Sequence, residues 1–271
     1  MAEQRPAPRG VDVTVPNVAR MYDYYLGGKD NYKADRVAAA EVIAAFPDVR
    51  LAVRENRAFL TRAVQFLAAD AGIRQFVDIG TGLPTQNNVH EIAFGVAPDA
   101  RVVYIDYDPV VVAHGQMILS SARSAAFIAG DIRRPDDILG NTELRSLINF
   151  DEPVAVLMVA VLNFVAGEDN PAGIVGRFGA AMAPGSYLVI SHGASEERPA
   201  TAQNVANVYQ GATAQAVLRN RAEILPFFAG FELLEPGLVY AAQWHPAIRD
   251  LTRDLPAPGT AMTLAGVGRL D

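Results

Sequence analysis

The chain has 271 residues, 51% of them hydrophobic, with a formal net charge of -7 at pH 7 and no cysteine. The missing thiols exclude disulfides, thiolate metal sites and a cysteine nucleophile, and an acidic balance without a basic run argues against nucleic acid as a partner. The longest apolar run, Val154 to Val161, is far short of the roughly 20 residues a membrane span needs, and the polar stretch Met1 to Gly10 lacks the apolar segment of a signal peptide, so the expectation is a soluble, cytoplasmic protein.

In chain order, residues 1–16 read as a flexible start and residues 17–70 as helices. Val37 to Ala45 is rich in helix formers and is ended by Pro47, and Arg54 to Ala69 carries Phe59, Leu60, Ala63, Phe66 and Leu67 at helical spacing. From Gln75 short apolar runs alternate with helical stretches. The runs are Phe76–Ile79, Val102–Ile105, Ala126–Ala129, Val154–Val159 and Tyr187–Ser191; the helices are expected near 85–95, 109–122, 142–149 and 170–182. Runs that are apolar throughout suit parallel strands covered on both faces. Ala212 to Phe228 reads as one more helix, and 231–239 and 261–267 as two late strands joined by a proline-rich loop, an antiparallel pair at a sheet edge. The expected fold is α/β: a Rossmann-like, seven-stranded, mostly parallel sheet in a three-layer sandwich. Residues 1–70 form a helical extension or lid packed on a core of residues 71–271.

Gly80-Thr81-Gly82 follows the first strand and precedes a helix, where glycine permits a sharp turn and close approach of a ligand. A dinucleotide fingerprint wants a third glycine where Thr85 stands. Asp78, two residues before the loop, would repel a pyrophosphate but can orient the loop or attract a cation. The second strand ends in Asp106-Tyr107-Asp108-Pro109; Asp108 suits a helix cap and Asp106 a ribose. The third ends in Gly130-Asp131-Ile132, where Asp131 can accept an adenine amino group and the Ile132 N–H can serve a ring nitrogen. Any one of these acids could be a turn former. Three at successive strand ends point to an adenosine ligand at the carboxyl edge of the sheet.

Val77-Asp-Ile-Gly-Thr-Gly82, Val103-Tyr-Ile-Asp106, Gly130-Asp131 and the strand Val154–Phe164 resemble the successive motifs of class I methyltransferases that use S-adenosylmethionine (SAM). Pro16 to Arg36 and Gly82 to Glu91 more narrowly resemble a bacterial S-adenosyl methyltransferase family of undefined substrate. The resemblance spans about residues 15–271. It implies a SAM cofactor with Gly80, Thr81 and Gly82 at its methionine part, Asp106 at the ribose, Asp131 and Ile132 at the adenine, and further contacts from Asp78, Tyr107 and Ala160. The family pattern carries histidine where this chain has Asn163.

Methyl transfer from a sulfonium works largely by positioning, and a base is needed only when the acceptor must lose a proton. His192, at the end of the fifth strand, is the first candidate base and His90 the second, each weighed against a structural role. The segment Tyr22 to Asp35 reads as a lid, with Lys29 or Arg20 pairing the methionine carboxylate and Tyr22 facing the sulfonium, or else as a plain helix junction. Residues 196–211, with Gln203, Asn204, Asn207 and Tyr209, read as an acceptor-binding insertion or an amphipathic surface helix. The function expected is methylation of a small-molecule acceptor. The alternatives are a SAM-binding protein without catalysis and an NAD(P)-dependent oxidoreductase, against which the absence of a Tyr-x-x-x-Lys pair after the fifth strand counts. No metal-ligand spacing is visible. The acceptor, the methylated atom and the oligomeric state stay open.

Overall fold

Each of the five apolar runs becomes a parallel strand. The computed structural model describes residues 12–84, 88–119, 124–245, 257 and 259–271. Its strands are β1 (Gln75–Ile79), β2 (Arg101–Asp106), β3 (Ala125–Ala129), β4 (Ala155–Val159), β5 (Tyr187–Gly193), β6 (Glu232–Leu233), β7 (Val239–Tyr240) and β8 (Thr263–Arg269). The sheet order is β3-β2-β1-β4-β5-β8-β6, with β7 also paired to β8. The first five strands run parallel and β8 antiparallel to β5.

The helices are α1 (Val18–Leu26), α2 (Lys33–Ala45), α3 (Val49–Ala69), α4 (Val89–Val96), α5 (Pro109–Leu119), α6 (Pro135–Leu139), α7 (Thr142–Leu147), α8 (Pro171–Gly179), α9 (Pro199–Tyr209) and α10 (Arg221–Ile224). Alternation along each strand splits the core into two. Phe76, Val102, Ala155 and Val189 join α3, α4 and α5 on one face. Val77, Val103, Val156 and Ile190 meet α6, α7, α8 and α10 on the other. A third cluster joins α1, α2 and the start of α3 to α9. No helix among the described residues is long and apolar enough to cross a membrane.

Two expectations change. The helix expected over 212–228 reduces to α10 and a following 3-10 turn over Leu225–Phe228. Residues 217–219 instead form no helix, with Arg219 in an isolated bridge to Ala194, because their N–H groups are taken from outside: Val217 donates to the Asn163 carbonyl (2.7 Å) and Arg219 to that of Gly193 (3.1 Å). Asn220 then caps α10 through the N–H of Glu223. The strand expected over 231–239 is broken into β6 and β7 by a turn at Gly237, whose φ of 85° favours glycine. Both fragments pair with successive parts of β8, at Gly268–Arg269 and Leu264–Ala265, so the sheet keeps seven strand positions. The expected antiparallel pair does lie at the sheet edge, with β8 next to β5 and the broken strand outermost. The first eleven residues, Thr85, the end of the 109–122 helix and the loop 246–256 lie outside the described residues.

Candidate functional site

The glycine loop is shaped by its neighbours. Gly80 and Gly82 have φ of 69° and 68°. The N–H groups of Gly80 and Thr81 donate to the Ile105 carbonyl at 2.8 and 3.3 Å, which folds the loop over the end of β2. A Cβ on Gly80 would stand 2.1 Å from Val161 Cγ2, so the loop lies directly on the segment that leaves β4. The Gly82 N–H donates to Asp106 Oδ2 (2.9 Å) and the Asp108 N–H to Asp106 Oδ1 (3.0 Å). Asp106 thus holds the loop while facing the same cavity. Asp108 caps α5, accepting from Val110 N (2.7 Å), and also takes a short hydrogen bond from Asn17 Nδ2.

That cavity, of about 480 Å³, opens along the carboxyl ends of β1 to β4. Asp78, Gly80, Thr81, Gly82, Asp106, Tyr107, Asp131, Ile132, Ala160 and Tyr22 all line it. Burial pushes the Asp78 carboxyl up to about 6, against the opposing effects of a Thr81 hydrogen bond and the Arg57 charge. Asp106 is likewise raised by burial. Burial also works to raise Asp131, but hydrogen bonds and charge from Arg133 outweigh it and its carboxyl titrates lower than usual. The two side chains meet through Nε at 2.9 Å and a terminal nitrogen at 2.6 Å, and the Arg133 guanidinium sits 5.8 Å from the Tyr107 ring.

The structure does not bring Lys29 or His192 to the cavity. Lys29 is exposed, two residues past the C-capping Gly27 of α1, and does not line the cavity. His192 is fully buried. Its Nδ1 lies 2.8 Å from the Gly193 carbonyl and its Nε2 2.9 Å from a terminal nitrogen of Arg219. An arginine can only donate, so Nε2 is the acceptor and the proton sits on Nδ1. Burial, with the nearby guanidinium adding to it, lowers this histidine to about 4. His90 packs against the Tyr104 hydroxyl (2.7 Å) behind the glycine loop. Arg20 is committed to Asp35 at 2.8 Å, with both side chains buried. Asn163 bridges backbone, donating to the Ala160 carbonyl (3.1 Å) and accepting from Gly193 N (3.2 Å). Of the α9 group, Gln203 and Asn207 bond each other on the surface and Tyr209 is buried beside Tyr25; the cavity is reached instead by Gln210 and residues 212–215.

Asn56 and Arg57 of α3, Arg133, and Phe164 and Val165 beyond β4 also line the cavity, none of them marked as a site residue by a sequence motif. A signal for Asn56 existed: it occupies a position in the apolar stripe Ala52, Val53, Phe59, Leu60, Ala63, and a polar residue there is buried for a reason.

Comparison with known proteins decides the kinship. The family model described as S-adenosyl methyltransferase matches residues 4–271. The chain belongs to the S-adenosyl methyltransferase family. Two crystal structures are similar over nearly the whole chain. One, from Thermobifida fusca and assigned as a methyltransferase, is 40% identical with a TM-score of 0.89, covering 97% of this chain and 98% of that one. The other, a DUF574 family protein from Streptomyces avermitilis, is 40% identical with a TM-score of 0.91, covering 96% and 99%. An O-methyltransferase family protein from Burkholderia thailandensis shares the fold at 13% identity and a TM-score of 0.54, covering 83% of this chain and 57% of that one. No curated protein matches the chain. As a family member it is a SAM-dependent methyltransferase with a Rossmann-like fold.

Proposed function

We propose that the cavity binds SAM and that the methyl group passes to a small-molecule acceptor. The observation that carries this reading is the convergence of Asp78, Asp106 and Asp131, from three successive strand ends, on one cavity with the glycine loop. The donor set fits the cofactor. SAM carries a net positive charge, and the acids lining the cavity outnumber its two arginines, Arg57 and Arg133. The volume of about 480 Å³ falls within the roughly 300–1,000 Å³ of sites for drug-sized ligands.

In this reading Asp106 accepts from the ribose hydroxyls with the lone pairs left after Gly82 and Asp108. Tyr107 and Ile132 flank the adenine, and Asp131 takes its amino group. Asp78 faces the ammonium of the methionine part. Arg57, not Lys29 or Arg20, pairs the carboxylate, because of these three only Arg57 lines the cavity. SAM supplies an activated methyl group on sulfur. The chain's own residues then hold the acceptor in line and exclude water, and α1 with Tyr22 covers the cavity as a lid. None of the four histidines lines the cavity, so the reading favours an acceptor that reacts without a histidine base. A bound NAD is disfavoured by the buried Asp78 beside the loop.

Calorimetric titration with S-adenosylhomocysteine tests the reading. Binding is expected in the wild-type chain and at least about tenfold weaker in Asp106→Ala, which loses charged hydrogen bonds to the ribose. No binding by the wild-type chain, or full affinity in the variant, would overturn it.

A further inference from the structure

We propose that Asn56 is a positioning residue that couples closure of α1 over the cavity to the shape of the cavity floor at Ala160. The inference rests on the SAM-binding reading above.

Four side-chain hydrogen bonds form one chain through this residue. The Ala160 N–H is shared between Ser191 Oγ at 3.0 Å and the Ser191 carbonyl at 3.1 Å. Ser191 Oγ donates to Asn56 Oδ1 at 2.5 Å. Asn56 Nδ2 donates to the Tyr22 hydroxyl at 3.0 Å. The Tyr22 hydroxyl donates to the Val53 carbonyl at 3.3 Å, one turn back on α3. Asn56 Oδ1 can only accept, so Ser191 gives it the hydroxyl proton while accepting from the Ala160 N–H; the amide nitrogen can only donate, and Tyr22, whose own proton goes to the Val53 carbonyl, accepts from it. Only a side chain with an acceptor at one end and a donor at the other joins them, and the Asn56 amide is both. Asn56 and Ser191 are buried, where a missing partner is costly.

Tyr22 and Ala160, on the two sides of Asn56 in this path, are both cavity wall. Tyr22 belongs to α1, the element proposed as lid, and Ala160 to the exit of β4. Ala160 has φ of 56°, a left-handed conformation that a residue with a Cβ adopts only when its surroundings impose it. The bond from its N–H to Ser191 is one of those impositions. The next residue, Val161, is the one the glycine loop rests upon at Gly80. A shift of Tyr22 when the lid opens therefore turns the Asn56 amide, loosens Ser191 and relaxes Ala160 and the loop together. Nothing in a plain packing contact between α1 and α3 would require this path.

The test uses the full chain and S-adenosylhomocysteine, with affinity from calorimetry and dissociation rate from stopped flow. The variants are Tyr22→Phe, Ser191→Ala, the two combined, and each of the two in an Asn56→Leu background. Each conservative single substitution is expected to weaken binding about fivefold, the lower end for coupled sites, chiefly through faster dissociation. The combined variant is expected to be no weaker than the worse single, and in the Asn56→Leu background either change should move affinity by less than about twofold. Effects that multiply in the combined variant would overturn the coupling. So would an unchanged affinity and dissociation rate accompanied by a fall in melting temperature, the signature of a purely structural bond. If Asn56→Leu fails to fold, the Tyr22–Ser191 cycle decides alone. A wild-type chain that does not bind the probe sinks the SAM reading itself; one that binds with independent substitutions sinks only the coupling.

Discussion

Asp78 shows how a carboxyl can cost the fold and serve the ligand. Its carboxyl is pushed up to about 6 by burial. Between the ordinary carboxylate range and that value the folded chain holds a proton that the unfolded chain has released. Stability therefore falls as pH rises through this window, and the penalty is complete above it. A shift of this size amounts to about 2–3 kcal/mol. Asp78→Asn is expected to melt at a higher temperature than the wild type at pH 7 and at nearly the same temperature near pH 4. The ionised form is the one that attracts an ammonium. Affinity of the wild type for S-adenosylhomocysteine should thus fall by up to about tenfold between pH 6 and pH 5, while that of Asp78→Asn is flat over the same range. An unchanged melting temperature, or the same pH slope in the variant, would place this ionisation elsewhere. The acids at the strand ends were readable because backbone geometry alone puts them there. The cation proposed for the methionine carboxylate was not. Lys29 and Arg57 are equally cationic on paper, and only the packing of α3 against β4 and β8 separates the exposed one from the one in the cavity.

The segment leaving β4 is built by its neighbours rather than by its own propensities. Arg219, buried beside Phe227, donates to the carbonyls of Leu162 (2.9 Å) and Val165 (2.8 Å) and to His192 Nε2. Asn163 ties the same segment to Ala160 and Gly193. The result carries Phe164 and Val165 into the cavity wall. In the sequence this reads as a strand-end histidine and a neighbouring asparagine near a site, which is also how a catalytic base reads. The difference lies in Arg219, 27 residues away, whose guanidinium has no use for a catalytic proton but fixes the histidine tautomer. The same demand explains why 217–219 is not helical. Arg219→Met should leave two carbonyls and one ring nitrogen without donors. It is expected to lower unfolding stability by at least about 2 kcal/mol, read from urea denaturation at pH 7, with Arg219→Lys losing less. A loss under about 0.5 kcal/mol would mean the segment holds its shape without the clamp.

At the scale of the molecule the sequence was most legible where a whole layer depends on one pattern. The five apolar runs are the parallel strands of the sheet, with β3 at one edge, and the helices around them supply its two faces. The edge was less legible, since Glu232–Leu233 and Val239–Tyr240 are each too short to carry a periodicity and acquire strand character only from pairing with β8. Binding at the carboxyl edge touches nearly every layer of this architecture. The cavity takes residues from α1 and α3, from the ends of β1 to β4 and from the segment after α9. A ligand there stabilises the whole folded chain by mass action, by about 2.7 kcal/mol at a hundredfold excess over Kd. For a domain of this size that corresponds to a rise in melting temperature of about 5–10 °C. S-adenosylhomocysteine is expected to produce this rise and NAD none, because Asp78 beside the glycine loop favours a cation over a pyrophosphate. A comparable rise with NAD alone would return the loop to the dinucleotide-binding class, whatever the order of the strands around it.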